Sequence, residues 1–238
     1  MAGGLDWRGV IGRLCYPPTC VLCGAAGQGG RDLCAGCAAD LPRNPHPCAR
    51  CAAPLPPAAP AGSLCGPCQR RPLPFDACIA PFLYQFPLPQ LAVGLKFHGR
   101  LGLSRLLGEL LAEALSARNA PPPRALIPVP LHPSRLRERG YNQALEIARA
   151  LVRVAPMPLA PQWVERTRAT RPQTELEGLA RRRNLRGAFA VAAGVRIPAE
   201  VALLDDVITT GATAGELARV LKRHGAERVE VWAVVRAG

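Results

Sequence analysis

One string of thirteen residues, VALLDDVITTGAT at positions 201–213, constrains this chain more than any other. Val201, Ala202, Leu203 and Leu204 form an apolar run that stops at two adjacent acids, Asp205 and Asp206. That pattern predicts a buried strand whose carboxyl end opens into a crevice, the place where open α/β sheets bind ligands. Thr209, Thr210, Gly211, Ala212 and Thr213 follow, with three hydroxyls and a glycine just ahead of a helical pattern over 214–224. Backbone N–H groups and the positive end of that helix can meet a phosphate there, leaving the acids to face sugar hydroxyls. The plainer alternative is a strand ending in a polar turn whose acids cap the next helix.

The same string resembles the PRPP-binding motif of the type I phosphoribosyltransferases, in which four apolar residues lead through two acids to a Thr-rich loop. The resemblance implies that Asp205 and Asp206 contact the ribose 2′ and 3′ hydroxyls, as the catalytic acid pair, and that residues 209–213 cradle the 5′-phosphate.

Length leaves room for more than this motif. With 238 residues and 49% apolar content, the chain can build one α/β domain and a smaller module. Its apolar stretches are broken by Pro, Arg or Gly well short of the roughly twenty residues that a membrane span requires. Residues 1–18 carry one acid and two arginines and no apolar segment of signal-peptide length, so a cytoplasmic location is expected.

Eight of the ten cysteines form four CxxC pairs: Cys20 and Cys23, Cys34 and Cys37, Cys48 and Cys51, Cys65 and Cys68. In a reducing compartment such pairs bind metal more often than they form disulfides, and a CxxC turn presents two thiolates to one tetrahedral zinc. Two structural zinc sites of four cysteines each are expected, either sequentially paired or crossed, first pair with third. Pro, Ala and Gly dominate between the pairs, so metal supplies the folding energy that an aliphatic core would otherwise give. Cys15 and Cys78 stand outside the pairs.

After Arg71 the composition changes. Residues 75–86 (FDACIAPFLYQF) read as a strand pair or extended segment, and 101–117 carry leucines at helical spacing. Between them, Lys96, His98, Gly99 and Arg100 sit where a lid would cover a site, or where a solvated turn would join two helices. Pro121, Pro122 and Pro123 mark a linker. Residues 125–130 read as a short strand and 142–154 as a helix capped by Asn142, with a basic loop between them. In a right-handed crossover, Arg135, Arg137 and Arg139 of that loop reach the same sheet edge as the acids; a solvated loop is the alternative. The expected organisation is a cysteine-rich module over 1–71, a connecting or hood segment over 72–124, and the main domain over 125–238.

Residues 129–143 (VPLHPSRLRERGYNQ), the RTRATRPQTEL run over 166–176, Arg181-Arg182-Arg183-Asn184 and the 201–213 motif together resemble the ComF family. The resemblance runs in order from Cys20 to Val235. It implies a type I phosphoribosyltransferase-like α/β fold, a parallel sheet flanked by helices, behind a small N-terminal double zinc ribbon. By resemblance, Arg137, Arg139, Gly140, Asn142 and Gln143 lie near the pyrophosphate, and Arg168, Gln173, Arg182 and Asn184 belong to a mobile loop that closes over the site. The implied ligands are PRPP or a related phosphoribosyl compound with Mg²⁺, and the implied partners are incoming single-stranded DNA and other competence proteins. Phosphoribosyl transfer and ligand sensing without turnover are the alternatives to DNA handling.

Charge adds less than its size promises. Thirty basic residues against seventeen acidic give a net charge of +13, with seven arginines between Arg166 and Arg186, a surface that single-stranded nucleic acid can follow. Yet 28 of the 30 basic residues are arginine, a bias that a GC-rich genome produces unaided, and aromatic residues make up only 5%. Stacking platforms for bases are scarce in such a composition.

Overall fold

The computed structural model describes residues 17–118, 120–168 and 185–238. The chain divides into two compact units, Met1–Pro42 and Arg43–Gly238.

In the first unit little apolar surface is available. Only Cys20, Leu33 and Leu41 are buried among its described residues. A bridge from Thr19 to Ala26 and a five-residue helix, α1 (Ala35–Ala39), make up its regular structure. Cys34 caps α1 with its sulfur, which accepts from the Cys37 N–H at 3.4 Å.

The second unit opens with another cysteine loop and a short helix, α2 (Gly66–Arg70). Its centre is a five-stranded parallel sheet. Strands β1 (Ala77–Ile79) and β2 (Phe82–Leu83) lie in tandem along one edge of β7 (Arg228–Arg236), followed by β6 (Glu200–Ile208) and β3 (Ala125–Pro128). The 75–86 segment is thus two short edge strands sharing one partner. An antiparallel hairpin of β4 (Val164–Arg166) and β5 (Phe189–Val191) stands apart from this sheet.

Parallel strands need cover on both faces, and the sequence supplies it. Among the described residues the helices of this unit beyond α2 are α3 (Leu88–Phe97), α4 (Gly102–Ser116), α5 (Pro133–Arg139), α6 (Gln143–Val154) and α7 (Ala212–Arg223), of which α4, α6 and α7 pack on strands of the sheet. Leu217, Ala218 and Leu221 of α7 join Val201, Leu203, Val229 and Val231 in one core cluster. Helix α6 packs on β3 and β6 and also against α4. The α4–α6 crossing is close enough to require Gly108, where a Cβ would lie 2.7 Å from Ala150 Cβ and 2.9 Å from the Ile147 carbonyl oxygen.

The second cysteine loop is tied into this unit by hydrogen bonds to backbone carbonyls. Arg50 Nη1 donates to Leu73 O at 3.1 Å and to Phe75 O at 3.0 Å, and Arg236 Nε donates to Cys51 O at 3.0 Å. Asn44 Nδ2 donates to Ala52 O at 2.8 Å and Ala80 O at 3.2 Å. Cys78, one of the two cysteines outside the CxxC pairs, is an ordinary core residue on β1, 5% exposed; Cys15 lies outside the described residues.

Two local expectations change. The basic loop expected between strand and helix is instead α5, a seven-residue helix that His132 caps through its ring nitrogen. The strand expected to stop at Leu204 runs four residues further, to Ile208, and holds both acids within it. Hydrophobic patterning ends a strand where polarity begins, but β7 continues to pair alongside: Asp205 sits opposite Ala233, Val207 opposite Val235 and Ile208 opposite Arg236.

Candidate ligand site and metal centres

The crevice at Asp205 and Asp206 comes from unequal strand lengths. Strand β3 pairs with β6 only from Ala125 to Pro128, opposite Val201 to Leu204, so beyond Leu204 one side of β6 has no neighbouring strand. The β7 side continues to hold the backbone in register. Both acids therefore stand on a rigid ladder beside an open edge.

Lys96 acts on both acids, most directly on Asp206, and Arg166 on Asp205. Asp206 is 3% exposed, and its Oδ2 lies 2.6 Å from Lys96 Nζ in an ion pair without hydrogen-bond alignment. Burial alone would lower the Lys96 ammonium, but Asp206 and Asp205 together outweigh it and raise Lys96 above its ordinary value. Asp205 takes a hydrogen bond from the Asp206 N–H onto Oδ1 at 2.9 Å. Burial, and then the neighbouring Asp206 charge, hold its carboxyl well above the usual carboxylate range. Arg166, at the end of β4, feels Asp205 from the hairpin side. Burial and the nearby Arg135 lower its guanidinium and Asp205 opposes them.

Residues 129–143 approach the same place. Asn142 caps α6 through Oδ1, which accepts from the Ala144 and Leu145 N–H groups, while its Nδ2 donates to Val129 O at 3.0 Å, just past β3. Arg139 Nη1 donates to Gln143 Oε1 at 2.6 Å, and its guanidinium carbon lies 5.3 Å from the Phe97 ring centroid. Gly140 closes α5 as a left-handed cap, and the Tyr141 hydroxyl donates to Leu95 O in the last turn of α3. Arg137 is exposed on α5. The structure thus sets Arg139, held by Gln143, near Lys96, and leaves Arg137 facing solvent.

The phosphate-loop candidates sit where β6 passes into α7. Thr209 and Thr210 are exposed, Thr210 Oγ1 accepts from the Ala212 N–H at 3.4 Å, and Ala212 and Thr213 begin the helix. Gly211 precedes α7 at φ +71°, in the N-cap position. A Cβ there would also lie 3.2 Å from Phe75 Cζ, so both the backbone conformation and the space demand glycine. A cavity of about 450 Å³, lined by Ala53, Arg70, Arg71, Leu73, Thr210 and Arg236 among others, lies between this turn and the second cysteine cluster.

Of the four residues assigned to a mobile loop, Arg168 lies just past β4, with Nη2 donating to Arg186 O at 2.8 Å. Gln173, Arg182 and Asn184 lie outside the described residues. Two cations at the acids were not among the site residues expected from sequence, Lys96 and Arg166. Each belongs to a basic stretch visible in the sequence, but nothing in the spacing said which member would reach an acid some 110 or 40 positions away.

The eight paired cysteines resolve into two clusters, Cys20, Cys23, Cys34 and Cys37, and Cys48, Cys51, Cys65 and Cys68. Pairing is sequential, not crossed. Within each cluster the sulfurs all lie within 4.8 Å of one another, and none of these cysteines is in a disulfide. Four soft thiolates in one closed set fit tetrahedral zinc and leave it no open position for water. Burial would push the Cys20 thiol up, yet N–H groups of Cys34, Cys23 and Leu22 hold it down, at about 6. The Cys65, Cys51 and Arg50 N–H groups do the same for Cys48, at about 7, with Cys65 N donating to its sulfur at 3.2 Å. No described helix is long and apolar enough to cross a membrane.

Comparison with known proteins agrees with this architecture. Residues 11–69 match the double zinc ribbon domain family. The chain is 36% identical over 179 residues to competence protein F of Haemophilus influenzae, covering 73% of this chain and 78% of that protein. It is 34% identical over 221 residues to the DNA utilization protein YhgH of Escherichia coli K12, covering 91% of this chain and 89% of that protein. Among solved structures, the glutamine phosphoribosylpyrophosphate amidotransferase of B. subtilis is 19% identical over 55% of this chain and 26% of that chain, at a TM-score of 0.37. A double zinc ribbon followed by a parallel α/β sheet, together with relatives that span most of the chain, makes this protein a member of the ComF family of competence and DNA-utilization proteins.

Proposed function

We propose that the crevice at Asp205 and Asp206 binds a phosphoribosyl ligand of the PRPP type, and that the protein uses it in handling single-stranded DNA during natural transformation. One observation carries the reading: an acid pair on a rigid strand end, with Asp206 buried, meets Lys96, which Arg139 flanks, and Arg166, just ahead of the glycine turn that starts α7. A sugar diol donates hydrogen bonds to carboxylates, a 5′-phosphate suits the N–H groups at the start of α7, and cations around the acids suit a pyrophosphate. The names of the relatives, competence protein F and DNA utilization protein, supply the DNA context.

The acids fit Mg²⁺ in chemistry, since Asp206 Oδ2 is a buried carboxylate oxygen with no aligned hydrogen bond. Mg²⁺ is commonly held by substrate phosphates with one or two carboxylates, and when bound it neutralises charge developing on pyrophosphate. The residues of the chain do the rest. Asp206 holds the sugar, Lys96 leaves Asp206 for a ligand oxygen, and Arg139 and Arg166 balance the anion. Clustered thiolates that need a reducing environment support a cytoplasmic location.

Calorimetric titration with PRPP and Mg²⁺ tests the site, with the Asp205→Asn/Asp206→Asn double variant beside the wild type. Binding by the wild type, and its loss in a folded variant, is expected. Equal heats from both, or none from the wild type, would remove the phosphoribosyl reading and leave the DNA role to be tested by itself.

A further inference from the structure

Phe97 is the last residue of α3 and directly follows Lys96, whose ammonium rests on Asp206. Its ring is 69% exposed, in a chain with five phenylalanines. It is nevertheless held in place. Arg139 lies 5.3 Å from the ring centroid and is itself fixed to Gln143, while Tyr141 bonds the α5–α6 turn to Leu95 in the same helical turn. A guanidinium over one face of a ring polarises it and leaves the other face for a flat partner.

We propose that Phe97, braced by Arg139, is a stacking platform for the nucleobase of a nucleotide whose sugar sits at Asp205 and Asp206. The proposal rests on the phosphoribosyl reading of the crevice and extends it from sugar and phosphate to base. Three groups of ligand chemistry then meet three features: phosphate at the start of α7, sugar at the acids, and base on the ring that shares Arg139 with Lys96, the cation of Asp206. Every base has a π-face, so a platform made of a ring and a guanidinium accepts any base without reading its edge. Such breadth suits a protein that meets nucleotides of arbitrary sequence, and it explains how a chain so poor in aromatics recognises a base at all.

Two ligands that differ only in the base separate this proposal from the reading beneath it. Ribose 5-phosphate and AMP are titrated calorimetrically against the wild type, Asp206→Asn, Phe97→Ala and Phe97→Trp. AMP is expected to bind the wild type more tightly than ribose 5-phosphate. Phe97→Ala should weaken AMP about 5- to 150-fold, the range for losing one base–aromatic stack, with ribose 5-phosphate changed less than about twofold, and Phe97→Trp should restore AMP binding. If ribose 5-phosphate binds the wild type and not Asp206→Asn, but AMP gains nothing from Phe97, stacking is wrong and the sugar site stands. If ribose 5-phosphate fails to bind the wild type, both readings fall together. Weakening of both ligands alike by Phe97→Ala also overturns the proposal, because it marks a residue that only positions Lys96.

Discussion

The unit Met1–Pro42 and the parallel sheet solve the same problem, holding a chain in one shape, by opposite means. In the first, among the described residues, Leu33, Leu41 and one five-residue helix accompany the four sulfurs. In the second, β3, β6 and β7 are buried along nearly their whole length and helices cover them. The second cysteine cluster combines both means: Cys48, Cys51 and Cys68 are themselves buried, and Arg50, Asn44 and Arg236 bind its loops to neighbouring carbonyls. The same four-thiolate chemistry is therefore the whole support in one place and a partial support in the other.

Zinc removal separates the two most strongly. Structural zinc contributes about 10–16 kcal/mol in small finger-like domains, so a chelator should unfold the first unit and leave the sheet folded. Limited proteolysis after chelation, read by mass spectrometry, should show cleavage within residues 17–42 first and a protected fragment carrying β3 to β7. Simultaneous loss of the sheet would refute the contrast. Native mass spectrometry of the intact protein should count two zinc ions per chain.

Arg50→Ala tests the mixed case. Two charge-assisted hydrogen bonds to Leu73 O and Phe75 O disappear, an expected loss of about 1.5–3 kcal/mol in denaturant unfolding with both zinc ions retained. A loss confined to zinc affinity would mean that the second cluster is held by metal alone, like the first.

The smallest effect concerns the sheet, and its sign is positive. Because Asp205 titrates above the ordinary carboxylate range in the folded chain, the native state holds a proton that the unfolded state has released. Stability therefore falls as pH rises from the unfolded carboxylate range through the raised folded value. Asp205→Asn should remove that slope and stabilise the protein at neutral pH by about 1 kcal/mol while abolishing ligand binding. A thermal shift that is flat from pH 5 to 8 in the wild type would contradict it. Only the sheet, on this view, gives up stability for its ligand.

What the sequence made legible follows the range over which each rule acts. The strand, acids, glycine turn and helix over 201–223 are contiguous, so local pattern recovers them, and Asn142 announces its helix within three residues. The CxxC spacing predicts two four-cysteine sites, but whether the pairs associate sequentially depends on how the loops close, and that appears only in space. The extension of β6 to Ile208 depends on β7, which comes later in the chain, and the partners of the acids come from α3 and β4. Polarity that ends a strand in isolation is tolerated when a neighbouring strand continues to satisfy its backbone.

That β6 outlasts β3 by four residues also bears on how such a site can change over evolutionary time. The acids are anchored by a ladder, whereas the groups that face them, Lys96 on α3 and Arg166 at the foot of a hairpin, arrive on separate elements. Those elements can be exchanged, lengthened or recharged without disturbing the register of Asp205 and Asp206. A family built this way can keep its acid pair while the groups that face it change.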